Sequence, residues 1–114
     1  MNNKSTRFYS DEQEKRIAKR LGGQVQCNSG GTRFGGGDIH TPLFLIEAKT
    51  STEPKLSFSV KKQWLEKAKL QAFEQGKLFS ALAISFDNLH DYFIIDENTF
   101  RYIHDLIIEN KEEL

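Results

Sequence analysis

The chain has 114 residues, of which 38% are hydrophobic and 28% are charged, as in a single folded domain rather than a disordered segment. It contains no run near the roughly 20 apolar residues that span a membrane, and its first residues lack the apolar segment of a secretion signal. The single cysteine, Cys27, excludes an intrachain disulfide and a thiolate metal site. We therefore expect one domain over residues 1–114, located in the cytoplasm and without membrane contact.

The net charge of zero conceals an uneven distribution along the chain. Residues 1–77 carry 14 Lys or Arg against 8 Asp or Glu, whereas residues 78–114 carry 2 against 8. A phosphate backbone responds to the local field and not to the sum over the chain, so the neutral total does not exclude nucleic-acid binding. Two solvated faces of unlike charge would give the same counts.

The first predicted element is a helix that follows a flexible arm over residues 1–9. Ser10 is a suitable helix cap with Gln13 three residues later, and Gly22-Gly23 is a typical helix end. After this helix, the pattern predicts a short strand over 24–27 and a glycine-rich loop over 28–37.

Four strands and two helices are predicted beyond the loop. Residues 43–50 form the clearest strand because they are almost continuously apolar, and Pro42 marks the turn before it. The elements are strands over 38–41 and 43–50, a helix over 59–75, strands over 78–86 and 92–95, and a last helix capped by Asp96. The order α-β-β-β-α-β-β-α indicates an α/β domain with a central mixed sheet flanked by helices.

Glu47 and Lys49 are the first candidates for chemistry. Side chains alternate across a strand, so both point to one face while Ala48 points to the other. Partly buried charges are costly unless they are paired or bind a metal. A structural ion pair at the end of a strand is the alternative explanation.

Asp38 precedes Glu47 by nine residues, on the strand that the turn at Pro42 pairs with it. Neighbouring strands are about 4.8 Å apart, so the hairpin would bring two carboxylates to a distance suited to a hard cation. Two carboxylates completed by water and phosphate oxygens are typical of a magnesium site. The alternative is an aspartate that serves only the turn after three glycines.

Glu14 is the third acidic candidate. Helical spacing places it on one stripe with Ile17, Ala18 and Leu21, the face expected to pack on the sheet. A carboxylate on that face would complete the metal shell, directly or through water. A glutamate near the start of a helix is also favoured by the helix dipole alone.

The glycine-rich loop and the lysines after Lys49 suggest contacts to DNA. The loop matches neither of the two glycine motifs that bind nucleotides, so no nucleotide cofactor is expected. A loop without a role and lysines that only solubilise the surface remain open alternatives. The predicted DNA contacts are Ser29, Thr32, Arg33, Lys61, Lys62 and Gln63.

These residues together resemble the PD-(D/E)XK nuclease superfamily, with the nearest likeness to archaeal-type Holliday-junction resolvases and small viral VRR-NUC-like nucleases. The likeness runs from Ser10 to about Phe86, and Gly37 replaces the usual proline before Asp38. Its elements are Glu14, Ser29-Gly30-Gly31, Gly37-Asp38, Leu45-Ile46-Glu47-Ala48-Lys49 and Lys62-Gln63-Trp64-Leu65.

The resemblance implies a restriction-endonuclease-like fold and Mg²⁺-dependent cleavage of branched or duplex DNA by a homodimer, with Mn²⁺ as a substitute. It assigns catalysis to Glu14, Asp38, Glu47 and Lys49. It assigns the metal to Asp38, Glu47, the backbone carbonyl of Ala48 and, through water, Glu14. A nuclease for flaps, nicked or linear DNA, and a non-catalytic DNA-binding module, are the alternatives.

Overall fold

The structure, a computed structural model, describes residues 6–26 and 38–111. Its elements follow the predicted order, with three helices and five strands in these ranges. They are α1 (Thr6–Leu21), β1 (Gln24–Gln26), β2 (Asp38–His40), β3 (Phe44–Thr50), α2 (Lys62–Glu74), β4 (Phe79–Ser85), β5 (Tyr92–Ile94) and α3 (Glu97–Glu109). No helix in the described part of the chain is long and apolar enough to cross a membrane.

The five strands form one mixed sheet in the order β1-β2-β3-β4-β5. β3 and β4 are parallel and paired along their whole length, and the other neighbours are antiparallel. A parallel pair requires a crossover connection, which α2 supplies. The α/β architecture with a central mixed sheet is therefore confirmed.

Each face of the sheet is covered by a different helix. On one face, Ile17 and Ala18 of α1 pack on Ile39, Ile46 and Ala48. On the other face, Leu45 of β3 packs on two alanines of α2, Ala68 and Ala72. Because β3 is covered on both faces, its sequence is apolar without alternation until the charged residues at its end.

Two helix starts differ from the prediction. α1 begins at Thr6, so residues 6–9 belong to the helix and not to a flexible arm. Tyr9 is buried there, and its packing extends the helix beyond the Ser10 cap. α2 begins at Lys62 and not near Ser59, after a Lys61 that makes no side-chain cap bond.

Two other helix boundaries were predicted correctly. Gly22 follows α1 with φ +67°, a left-handed conformation that glycine adopts without steric cost. Asp96 caps α3, where its carboxylate accepts a hydrogen bond of 2.9 Å from the backbone N–H of Thr99. Both boundaries are set by local chemistry, which a sequence pattern can reveal.

Candidate metal-binding and catalytic site

The antiparallel pairing of β2 with β3 brings two acidic residues together. Ile39 lies opposite Ile46 and His40 lies opposite Leu45. The same register extended by one residue places Asp38 opposite Glu47, with the two side chains close enough for a hydrogen bond between them to contribute to the raised pKa of Asp38. A hydrogen bond between two carboxyl groups requires that one of them carries a proton.

Three carboxyl groups are buried in this region. Asp38 is 7% exposed, Glu47 is 3% exposed and Glu14 is 1% exposed. Glu14 comes from α1, whose contacts include β1, β2 and β3, and its charge is close enough to raise the pKa of Asp38. The three acidic residues predicted from the sequence therefore converge in the fold.

The pKa of Asp38 is raised to about 7. The largest cause is burial, followed by the hydrogen bond and the charge of Glu47, with Glu14 contributing in the same direction. The charge of Lys67 opposes the shift. Three acids held together in a buried place thus retain a proton near neutral pH, and a bound cation would displace that proton.

Two lysines lie beside Glu47. Lys49 Nζ is 3.7 Å from Glu47 Oε2, as the alternation along β3 predicts. Lys67 Nζ of α2 is 3.8 Å from the same oxygen. Lys49 Nζ also lies 4.7 Å from the centre of the Trp64 ring, a cation–π contact that restrains its position.

The sequence predicted Lys67 only as one of the lysines after Lys49 that contact DNA, and Trp64 only as part of the family resemblance, so their places beside Glu47 and Lys49 were missed. Gln63, which was predicted to face the site from this helix, is exposed. Trp64, Lys67 and the buried Ala68 share one face of α2 at helical spacing. That spacing was a usable signal, because the face that carries Ala68 packs on β3.

A polar cleft of about 440 Å³ adjoins the end of β3. Its walls include Thr50 and Ser51, which directly follow Lys49, together with Lys55, Ser57 and Trp64. Hydroxyl and ammonium groups of this kind suit the oxygens of a phosphate backbone. The cleft meets the site at Trp64, whose ring centre lies 4.7 Å from Lys49 Nζ.

The donor set of the site fits a hard cation. Within the described ranges, Glu47 Oε1 is a buried oxygen without a hydrogen-bond partner. No group of three or more His, Cys, Asp or Glu in those ranges is arranged to hold a metal ion. A magnesium ion needs only one or two carboxylates, since it retains several waters, so Asp38 and Glu47 satisfy that need.

Only some of the predicted DNA contacts lie among the residues that the structure describes. Ser29, Thr32 and Arg33 lie outside the described residues. Lys61 and Lys62 are exposed, with Lys61 Nζ 5.8 Å from the Trp64 ring centre and Lys62 Nζ 3.8 Å from Glu66. The two lysines are therefore available to a ligand near the start of α2.

Comparison of the chain with family models, with curated proteins and with solved structures gives no match in any of the three.

Proposed function

We propose that the chain is a metal-dependent DNA endonuclease with a restriction-endonuclease-like fold, acting on four-way DNA junctions. The observation that carries the proposal is the convergence of Asp38, Glu47 and Glu14, all buried, with Lys49 and Lys67 beside them. Buried carboxylates flanked by lysines are costly for a fold without a ligand. Such a group suits cleavage of a phosphodiester, where negative charge accumulates.

Asp38 and Glu47 would hold Mg²⁺, for which Mn²⁺ substitutes, with Glu14 acting through water and Ala48 through its backbone carbonyl. Bound Mg²⁺ supplies polarisation of the scissile phosphate and a lowered pKa for the attacking water. The buried Glu47 Oε1 has no hydrogen-bond partner among the described residues, and the pKa of Asp38 is raised by burial and by Glu47. Both observations support this assignment, because a bound cation would contact the free oxygen and favour the ionised form of Asp38.

The lysines of the site stabilise charge on the phosphate. Lys49 Nζ is held between Glu47 Oε2 and the Trp64 ring, so its position is fixed before substrate arrives. Lys67 approaches Glu47 from α2 and is half-exposed, which leaves its ammonium group accessible to a phosphate oxygen. Charges that are already in place stabilise a transition state without a reorganisation cost.

The choice of junctions rests on the family resemblance. Lys55 lines the cleft, and Lys61 and Lys62 are exposed at the start of α2. Such lysines would contact phosphates irrespective of sequence.

Two symmetric cuts in a four-way junction require two active sites, and we propose that a second copy of the chain docks on α3. Thr99 is the sole buried residue of α3, all of which is described, while Phe100, Leu106, Ile107 and Ile108 are exposed. An apolar groove of about 480 Å³ lies next to α3 and is lined by Phe93, Ile95 and Ile103. Apolar surface of this kind favours association.

The deciding experiment is cleavage of a labelled four-way junction beside its matching linear duplex, with Mg²⁺ or with EDTA. We expect paired, Mg²⁺-dependent cuts in the junction alone. Equal cutting of both DNAs would retain the nuclease and reject the junction preference. Tight binding without cutting would favour a non-catalytic DNA-binding module.

A matched pair of variants connects the activity to the site. Glu47→Gln removes a buried carboxylate and should abolish cutting, whereas Glu74→Gln changes an exposed glutamate of α2 and should leave the rate unchanged. If Glu47→Gln cuts at the wild-type rate, the assignment of the site is wrong.

A further inference from the structure

A second buried polar cluster lies next to the carboxylates and is not part of them. Asp91, which precedes β5, has a side chain only 4% exposed and accepts hydrogen bonds from two residues of α1. Arg16 donates to it twice, from Nε and Nη2, each at 2.8 Å. Gln13 Nε2 donates to Asp91 Oδ1 at 3.1 Å.

The same amide group of Gln13 reaches the strand that carries the catalytic candidates. Gln13 Nε2 also donates to the backbone carbonyl of Lys49, at 3.0 Å. Gln13 is completely buried and precedes Glu14 directly in α1. One amide therefore fixes both the peptide group after Lys49 and the helical turn that presents Glu14.

Arg16 also connects the cluster to Asn88, in the segment between β4 and β5. Its Nη1 donates to the backbone carbonyl of Asn88 at 2.8 Å and to Asn88 Oδ1 at 3.2 Å. Asn88 has φ +56°, and its amide donates in turn to Glu12 Oε1. The segment between β4 and β5 is thereby tied to about one turn of α1 through three residues: Glu12, Gln13 and Arg16.

The hydrogen bonds of this cluster restrain α1 along its axis more strongly than apolar packing does. The apolar surface under α1 combines isoleucines and alanines of the sheet, and apolar contacts are not directional. Hydrogen bonds weaken steeply when distance or angle changes. The cluster therefore sets the axial position of α1, and with it the position of Glu14 relative to Asp38.

We propose that Gln13, held by Asp91 and Arg16, is a positioning residue for the nuclease site. It aligns the Lys49 backbone and the turn of Glu14 with Asp38 and Glu47, while making no contact with the substrate itself. Asp91 cannot act as a further metal ligand in this arrangement, because its carboxylate is occupied by Arg16 and Gln13. The inference rests on the function proposed above.

The test replaces Gln13 by Leu, which keeps a helix-forming side chain of similar size and removes both hydrogen bonds. We expect kcat to fall roughly 10- to 100-fold through misplacement of the reacting groups, with KM for the junction little changed. Gln71→Leu is the control, since Gln71 is a glutamine of α2 with a buried side-chain oxygen. It should leave kcat and KM as they are.

A second readout does not depend on cleavage. The Thr50 amide shares its peptide group with the Lys49 carbonyl, so its NMR chemical shift reports the loss of the Gln13 bond. In Gln13→Leu we expect shifts at Thr50 and at the Asp38 and Glu47 amides. If the wild-type protein cuts no DNA, the proposed function fails, while these shifts still decide whether Gln13 positions the site.

Several results would overturn the inference. One is a kcat of Gln13→Leu that is unchanged or falls only as far as that of Gln71→Leu. Another is a fall in kcat that equals the unfolded fraction measured by urea titration. A third is a set of NMR chemical-shift changes confined to α1. If Gln13→Leu does not fold, Arg16→Lys serves as the test. This variant keeps a positive charge beside Asp91 but loses the two parallel hydrogen bonds that the Arg16 guanidinium donates to the Asp91 carboxylate. A wild-type kcat in folded Arg16→Lys would then count against the proposal.

Discussion

Asp38 is a carboxyl group whose protonation is coupled to folding. Its pKa is raised to about 7, chiefly by burial and then by Glu47, so the folded state binds a proton that the unfolded state releases near pH 4. The resulting stability is fully present below the unfolded pKa and is lost as the pH rises through 7. From pH 5 to pH 8 we expect the free energy of unfolding to fall by roughly 2 kcal/mol.

Urea unfolding of the wild type and of Asp38→Asn across this range measures that contribution. The asparagine amide can donate to Glu47 at every pH, so the free energy of unfolding of the variant should not fall between pH 5 and pH 8 in this way. Burial lowers the pKa of His40, whose contribution runs in the opposite direction, and the comparison of the two proteins cancels it. Parallel curves for the two proteins would show that Asp38 is not the titrating group.

Lys67 offers a residue-scale test of charge stabilisation. Its Nζ lies 3.8 Å from Glu47 Oε2, whereas Lys69 on the same helix pairs with the exposed Asp96 at 3.5 Å. We expect Lys67→Ala to lower kcat on a four-way junction roughly 10- to 100-fold. Lys69→Ala should remain at the wild-type rate, since an exposed ion pair contributes little. Equal rates for the two variants would remove Lys67 from the site.

Among the elements, the turn from α1 to β1 at Gly23 lies against β2, the strand that begins with Asp38. A Cβ at Gly23 would lie 2.8 Å from the backbone oxygen of His40 and 3.2 Å from Ile39 Cγ2, so Gly23→Ala must displace β2. We expect a loss of about 1–3 kcal/mol in unfolding free energy. We also expect a smaller rise in melting temperature on addition of Mg²⁺, because Asp38 moves with the strand.

Gly22→Ala is the control for this displacement. It strains a left-handed residue with φ +67° but places its Cβ in open space, so it should lower stability by about 1 kcal/mol without affecting the Mg²⁺ response. The prediction for Gly23 fails if both variants keep the full stabilisation by Mg²⁺.

The sequence was most informative where local chemistry decides the structure. The apolar run of β3, the Asp96 cap and the Gly22 end were predictable because each depends on a few neighbouring residues. The start of α1 was not, since the burial of Tyr9 is a tertiary effect that overrides the Ser10 cap.

The candidate site shows the same division. Asp38, Glu47 and Lys49 were found because strand alternation and a short hairpin determine their proximity. Lys67 and Asp91 were not, because they lie 20 or more residues from Glu47 along the chain and reach the site region only when α2 and the β4–β5 loop have packed. The helical spacing of Lys67 and Ala68 indicates a shared face of α2, but local spacing does not indicate which strand residue that face will contact.

For the molecule as a whole, the exposed apolar side of α3 predicts self-association. Ile107 is 48% exposed, next to the similarly exposed Leu106 and Ile108. We expect sedimentation at micromolar concentration to give about twice the chain mass of 13.1 kDa. Ile107→Lys should give the single-chain mass with an unchanged circular dichroism spectrum, because a charge at an exposed position does not disturb the fold of one copy.

Arg101→Ala on the same helix is the control and should stay dimeric, since Arg101 is exposed and, among the described residues, pairs with Glu97 of its own helix. If the dimer places the two active sites symmetrically on the junction, Ile107→Lys should still nick a four-way junction but should no longer make the two cuts together. A junction labelled on both cleaved strands measures this pairing. Paired cuts by a single-chain species would separate junction resolution from dimerisation. A wild-type protein that sediments only at 13.1 kDa would exclude the α3 interface.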